Sequence, residues 1–162
     1  MFQSMQAVPC SATLVTRRYR VREEDLNMYR LLHGGRMLTL ADETGFLSTR
    51  CLTQRPCLTR AVHQAAFHRP AGQGEMIEFA AWVVLTGQTS LWCAVTASCA
   101  RYRKLFDGLF VYVLRNGEPH DLPQMQVENP EEKYWQDRAR RLRTSLRPAQ
   151  PPEPEAGEAQ AP

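Results

Sequence analysis

Hydrophobic positions recur along this chain at two different periods, and the change between them marks out its elements. Over residues 12–22, Thr13, Val15, Arg17, Tyr19 and Val21 fall on one face at period two, which predicts a strand with basic residues near one end. The polar, irregular stretch 23–27 predicts a loop. From His33, Gly34 and Gly35 a segment runs without proline to about Leu52. Leu38, Ala41, Gly45 and Ser48 follow three-four spacing in it, as do Met37, Leu40 and Leu47. Being apolar nearly all round, it predicts a helix wrapped by other structure, with Ala41 and Gly45 small enough to pack closely against a sheet. Residues 57–67, 75–87, 89–103 and 106–115 are rich in Val, Trp, Phe, Tyr and Thr. Turn chemistry bounds them at Arg69-Pro70-Ala71-Gly72, Thr86-Gly87-Gln88 and Asn116-Gly117, which predicts an antiparallel sheet. A strongly curved antiparallel sheet around a long central helix, an α+β architecture, is the simplest way to bury both.

After Asn129, Pro130-Glu131-Glu132 opens a further helix with an Asn cap, a proline in the first turn and acids at the positive end. It closes on Arg138, Arg140, Arg141, Arg143 and Arg147. The expected organisation is one domain over 1–129, a basic helix over 130–147 packed on or beside it, and a tail over 148–162. Five prolines and no large apolar side chain predict disorder for that tail.

A chain of 162 residues, 43% hydrophobic and 23% charged, supports one domain with a real core. It has no apolar run of the roughly 18 residues that a spanning helix needs and no basic-then-apolar start, so neither a membrane span nor a secretory signal is expected. Five cysteines without a C-x-x-C pair predict free thiols rather than disulfides or zinc, for which the cytoplasm is the natural compartment. The net charge of +3 hides an asymmetry: three of the 17 acidic residues lie beyond Pro148, leaving 20 basic against 14 acidic in the body. A mildly basic body suits a nucleotide phosphate, although excesses of this size are common. Nucleic acid would call for a denser stripe with interleaved aromatics, so no nucleic-acid partner is expected.

The sharpest anomaly is Asp42, about two turns inside the apolar helix. Burying an ionised carboxylate costs several kcal/mol unless it is paired or hydrogen-bonded, so the residue is either satisfied by a structural partner or held for use. Gly34 and Gly35 at the helix start bear on that choice. The first amides of a helix point outward, and a glycine lets another group approach them to stabilise the oxyanion of acyl transfer. Gly35 and Asp42 lie near one face, about 10 Å apart along the axis at roughly 1.5 Å per residue. As an isolated dipeptide, two glycines would merely make a turn.

The ordered set Asp25-x-Asn27, His33-Gly34-Gly35 and Asp42-Glu43 resembles the acyl-CoA hydrolases of the YciA and brain acyl-CoA hydrolase type, within the hotdog superfamily. The resemblance continues through Ala61-Val62, Phe67-x-Arg69-Pro70, Gly74-Glu75, Thr86-Gly87-x-Thr89-Ser90, Phe110-Val111-x-Val113 and Asn116-Gly117-x-Pro119, and covers roughly residues 12–125. It implies the hotdog fold, a sheet wrapped around a central helix, pairing into homodimers whose sheets join, commonly as trimers of dimers. It implies a catalytic set of Asp42 as general base or nucleophile, Asn27 orienting water or thioester, and Gly35 polarising the carbonyl. Asn27 and Asp42 would meet from opposite protomers. His33, Gly34, Arg69, Gln88 and Thr89 are the expected substrate-binding residues, Arg69 being the phosphate candidate.

The chain departs from the pattern at Arg30, where a small residue, often glycine, is usual, at His63, where an acid is usual, and at Gln88, where a base is frequent. Arg30 could close the pocket, grip an anionic group or stand solvated. His33, His63 and His68 lack metal-ligand spacing, so structural or substrate-lining roles are expected. Cys51 and Cys57 have no adjacent base in sequence to activate a thiol. The expected activity is therefore hydrolysis of an acyl-CoA thioester to a free acid and coenzyme A. Thiolate is a good leaving group, so neither metal nor cofactor is called for. The acyl chain is expected to run into the apolar space between helix and sheet. The alternative is a non-catalytic acyl-thioester binding or sensor protein on the same scaffold. A hydratase would need an Asp/His pair in a different loop, which is not found.

Overall fold

The computed structural model describes residues 6–115 and 122–146. The expected Asn116-Gly117 turn, Pro119, Arg147 and the 148–162 tail lie outside those residues. In chain order the elements are β1 (Val8–Pro9), β2 (Val15–Arg20), α1 (Gly34–Leu52), β3 (Cys57–Phe67), β4 (Met76–Thr86), β5 (Ser90–Cys99), β6 (Phe106–Leu114), β7 (Met125–Gln126) and α2 (Pro130–Ser145). The five long strands form one antiparallel sheet in the order β2-β4-β5-β6-β3, and α1 packs against it. β1 and β7 pair in parallel as a two-stranded sheet.

The first strand is shorter than the period-two pattern predicts. Residues Cys10–Thr13 instead make a 3-10 turn, because the Thr13 hydroxyl bonds back to the Cys10 carbonyl at 2.8 Å and accepts from the Val83 amide at 2.8 Å. The 89–103 segment is likewise trimmed: Cys99 and Tyr102 close a turn through reciprocal backbone bonds of 2.8 and 3.2 Å, leaving Arg101, Arg103 and Lys104 exposed.

Met37, Leu40, Ala41, Thr44, Gly45 and Ser48 of α1 are buried, most of them against β4 and β5. Large side chains such as Phe79, Phe110, Leu91 and Val95 are fully buried with them, each contributing about 1.5–3 kcal/mol. This interface is packed, so the clefts described below lie at its rim rather than inside it. In the single chain α1 is not wrapped all round: Thr39, Glu43, Leu47 and Cys51, at four-residue spacing, remain exposed.

α2 packs on β4, over its second half. β4 alternates buried and part-exposed positions until Ala81, then Trp82, Val83, Val84 and Leu85 are all buried. There Trp135 and Ala139 are buried too, and Gln136 Nε2 donates to the carbonyls of Val84 at 2.9 Å and Met125 at 3.0 Å. Asn129 caps α2 by accepting from the Glu132 amide at 2.9 Å. Arg138, stacked over Tyr134 and Trp135, bonds Gln64 Oε1 through Nε at 2.7 Å. Gln64 lies in an irregular stretch of β3 with φ +52°, the left-handed region.

Candidate active site

Asp42 lies on the flank of α1 that meets β3 and β6. Its Oδ1 accepts from the Thr59 hydroxyl of β3 at 2.9 Å and lies 3.1 Å from the Tyr112 hydroxyl of β6. The same tyrosine hydroxyl is 2.9 Å from the Asp42 carbonyl oxygen. Burial pushes the Tyr112 phenol far above its ordinary value, with the Cys93 thiol and Asp42 adding to the effect, so it stays a neutral donor. No side chain among the described residues bonds Oδ2. Asp42 is half-buried rather than enclosed, because the neighbouring Glu43–Leu47 flank of α1 is open. Beside it is a cleft of about 410 Å³ lined by Arg17, Asp42, Glu43, Phe46, Leu47 and Thr59. Arg17 Nη1 pairs with Glu43 Oε2 across it at 3.2 Å.

Asn27 is held in a tight loop by its own carbonyl groups. Its Oδ1 accepts from the amides of Tyr29 at 2.9 Å and Leu31 at 3.2 Å, and its backbone exchanges bonds with Arg30 and Leu31. Two backbone donors fix the orientation of the amide, so the side chain offers Nδ2, a donor. Arg30 has φ +60°, which explains why a small residue suits this position; its guanidinium bonds Gln73 Oε1 at 2.9 Å. Buried Asp25 ties the loop to α1. It accepts from Tyr19 Oη at 2.7 Å, the Arg22 amide at 2.9 Å and Arg36 Nε at 3.0 Å, while its carbonyl accepts from the His33 amide at 2.9 Å. Burial raises the Asp25 carboxyl, but these donors outweigh it and hold it below the usual carboxylate range.

His33 caps α1 from an extended backbone, and its Nδ1 accepts from the Gly35 amide at 3.0 Å. The Gly35 donor, taken from sequence as unsatisfied, is therefore occupied by its own cap. A second cleft, about 260 Å³, is lined by Asn27, Leu31, Leu32, Gly34, Met37, Phe67, His68, Arg69, Pro70 and Ala71. At its rim His68 Nε2 and Lys104 Nζ reach nearly buried Asp107 at 3.2 and 3.0 Å.

Within the single chain, Asn27, Gly34 and Arg69 are thus gathered in one cleft and Asp42 lies in the other. Gln88 and Thr89 line neither. Their turn sits at the Cys57 end of β3, since the Thr89 carbonyl accepts from the Leu114 amide at 3.0 Å and Leu114 pairs with Cys57. His63 stacks on Trp92 at 5.6 Å. Burial pushes the thiols of Cys10 and Cys93 up to about 12. Thr59 and Tyr112 are the partners of Asp42 that sequence reasoning missed; they stand 17 and 70 residues away, with no local pattern to reveal them.

Residues 29–103 match the family model described as the Thioesterase superfamily. The acyl-CoA hydrolase of Staphylococcus aureus, solved with butyryl coenzyme A, coenzyme A and coenzyme A disulfide, is 19% identical, with 85% of this chain and 92% of that chain covered at a TM-score of 0.73. Variants of that hydrolase with an aspartate, a threonine or an asparagine changed to alanine superpose at 0.74, 0.74 and 0.76. The acyl-CoA hydrolase of Bacillus cereus is 22% identical, covering 86% and 88% of the two chains at 0.75. A hexameric acyl-CoA thioesterase, solved without ligand, is 22% identical, covering 88% and 99% at 0.74. By its architecture and these likenesses, the chain is a hotdog-fold protein whose residues 29–103 match the Thioesterase superfamily.

Proposed function

We propose that this protein is an acyl-CoA thioester hydrolase of the YciA and brain acyl-CoA hydrolase type, working as a homodimer in the cytoplasm. The observation that carries the reading is Asp42: a carboxylate set into an apolar helix, restrained at one oxygen and open at the other, beside a cleft. Asp42 takes a proton from water as the water oxygen bonds the thioester carbonyl carbon. The carbonyl electrons pass to oxygen and return as the C–S bond breaks, and the leaving thiolate recovers the proton from Asp42. Direct attack by Asp42, giving an anhydride that water then opens, uses the same placement. Asn27 Nδ2 donates to water or thioester. Arg69 receives a coenzyme A phosphate, with His33, Gly34, Gln88 and Thr89 lining the substrate path.

The unpaired edge of β3 supports the dimer. Leu58, Val62 and Phe67 on that strand are 53%, 41% and 54% exposed, more than a free edge favours. Joining two β3 edges antiparallel about their middle sets the Thr59 end of one strand against the Phe67 end of the other. The Asp42 cleft of one copy then adjoins the Asn27, Gly34 and Arg69 cleft of the second. Three such dimers would give a hexamer, the form named for one of the similar thioesterases. The aspartate, threonine and asparagine changed in the Staphylococcus variants are the residue types that this composite site would hold in Asp42, Thr59 and Asn27.

One observation favours the alternative of a non-catalytic acyl-thioester binding protein: the Gly35 amide is occupied by His33 Nδ1. For Gly35 to polarise a carbonyl the imidazole must swing away, and a substrate carbonyl would take its place. Thiol release from a panel of acyl-CoA esters, short to long, with binding measured alongside, separates the two. The expected result is turnover by the wild type and a loss of roughly 10³-fold in Asp42→Asn with the fold and coenzyme A binding retained. Binding without thiol release from any ester would establish the alternative, and a folded Asp42→Asn with the wild-type rate would remove Asp42 from the chemistry.

A further inference from the structure

Two unfavourable choices in the core converge on one hydroxyl group. Tyr112 is fully buried, where phenylalanine would fill the same space without a polar atom to satisfy. Gly45 lies in the middle of α1, where glycine weakens a helix. A Cβ at position 45 would overlap the Tyr112 hydroxyl and approach Val95 Cγ2 at 3.2 Å. Alanine at 45 facing phenylalanine at 112 would be the simpler core, and this chain has neither. The notch left by Gly45 admits the hydroxyl to the Asp42 carbonyl at 2.9 Å and to Asp42 Oδ1 at 3.1 Å, its single proton being shared between the two acceptors of the same residue. A bond to the carbonyl alone would anchor the helix. The approach to Oδ1, where Thr59 also donates at 2.9 Å, is something that anchoring does not require.

We propose that Tyr112 is a positioning residue, which with Thr59 holds Oδ1 of Asp42 and so turns Oδ2 into the cleft as the oxygen that works on water or thioester. This rests on the thioesterase reading for its use, but the restraint itself is a property of the protein alone. A carboxylate free to rotate about χ1 would spend part of its time away from the substrate, lowering turnover more than affinity. Tyr112 remains a neutral donor throughout, because its burial and its anionic neighbour both oppose ionisation.

The test is Tyr112→Phe, read in two ways. For hydrolysis, kcat is expected to fall about 10- to 100-fold with KM within about twofold. Independently of activity, three-bond NMR couplings from the Asp42 carboxyl carbon to its backbone nitrogen and carbonyl report χ1. They are expected to give one rotamer in the wild type and averaged values in Tyr112→Phe. Couplings that stay the same in the folded variant, or a kcat that does not change, would overturn the proposal. If the wild type hydrolyses no acyl-CoA, the functional reading falls while the couplings still decide what Tyr112 does. Should Tyr112→Phe not fold, the wild type supplies the decision: a slowly exchanging Tyr112 hydroxyl proton with a contact to the Asp42 side chain is expected, and its absence would overturn the assignment.

Discussion

The two oxygens of Asp42 have unlike surroundings, and the same holds for the two ends of the Asn27 amide. In each case one atom is committed to the fold: Oδ1 of Asp42 to Thr59 and Tyr112, Oδ1 of Asn27 to the amides of Tyr29 and Leu31. The opposite atom is then aimed by the scaffold rather than by chance. Asp25 supports this arrangement from behind, since it joins β2, the Asn27 loop and the start of α1. Asp25→Asn should lower the stability of the domain by about 2 kcal/mol, because charged-group hydrogen bonds are lost in a buried setting while Arg36 stays partly solvated. The folded-state carboxyl is held below its unfolded value, so its contribution is present above about pH 4 and lost as pH falls through the folded value. Urea unfolding at several pH values checks this: the gap between wild type and Asp25→Asn should be full at neutral pH and shrink below about pH 4. A gap independent of pH would mean that the charge of Asp25 is not what stabilises.

At the scale of elements, the five strands of the main sheet and both helices are legible because their signals are local, whereas the short parallel pair of β1 and β7 carries no sequence pattern and is seen only in the structure. Turn residues bound β3, β4 and β5, the Asn129 cap and Pro130 open α2, and His33-Gly34-Gly35 opens α1. What was not legible depends on contacts distant in sequence. Thr13 leaves the strand pattern because Val83 recruits its hydroxyl, Gln64 takes a left-handed conformation where Arg138 reaches it, and the Gly35 amide is occupied because the His33 ring folds back. Gly45 is an intermediate case. The sequence marked it as a close-packing position, while only the structure shows that what it admits is a hydroxyl rather than a sheet backbone. Gly45→Ala should therefore destabilise by about 1–3 kcal/mol through overpacking, despite the roughly 1 kcal/mol that alanine gains in helix propensity. Denaturant unfolding checks the sign, and a stabilised variant would mean that the notch is not filled.

For the whole molecule, the proposed dimer follows from how the single chain divides its candidate site residues. It carries two partial clefts, one with Asp42 and Thr59, the other with Asn27, Gly34 and Arg69, at opposite ends of the same edge strand. The apolar exposure of that strand and the twofold geometry of an antiparallel junction are the reasons to combine them between copies. The most direct test of the proposed shared site is complementation between Asn27→Ala and Asp42→Asn, each expected to be inactive by itself. After mild dissociation and mixing, a heterodimer holds one site with both lesions and one with neither, so thiol release should return, up to about half the wild-type rate per heterodimer. If both residues served a site within one protomer, every site would keep a lesion. Thiol release that stays at the level of the two parents, with subunit exchange verified by mass spectrometry, would contradict the shared site.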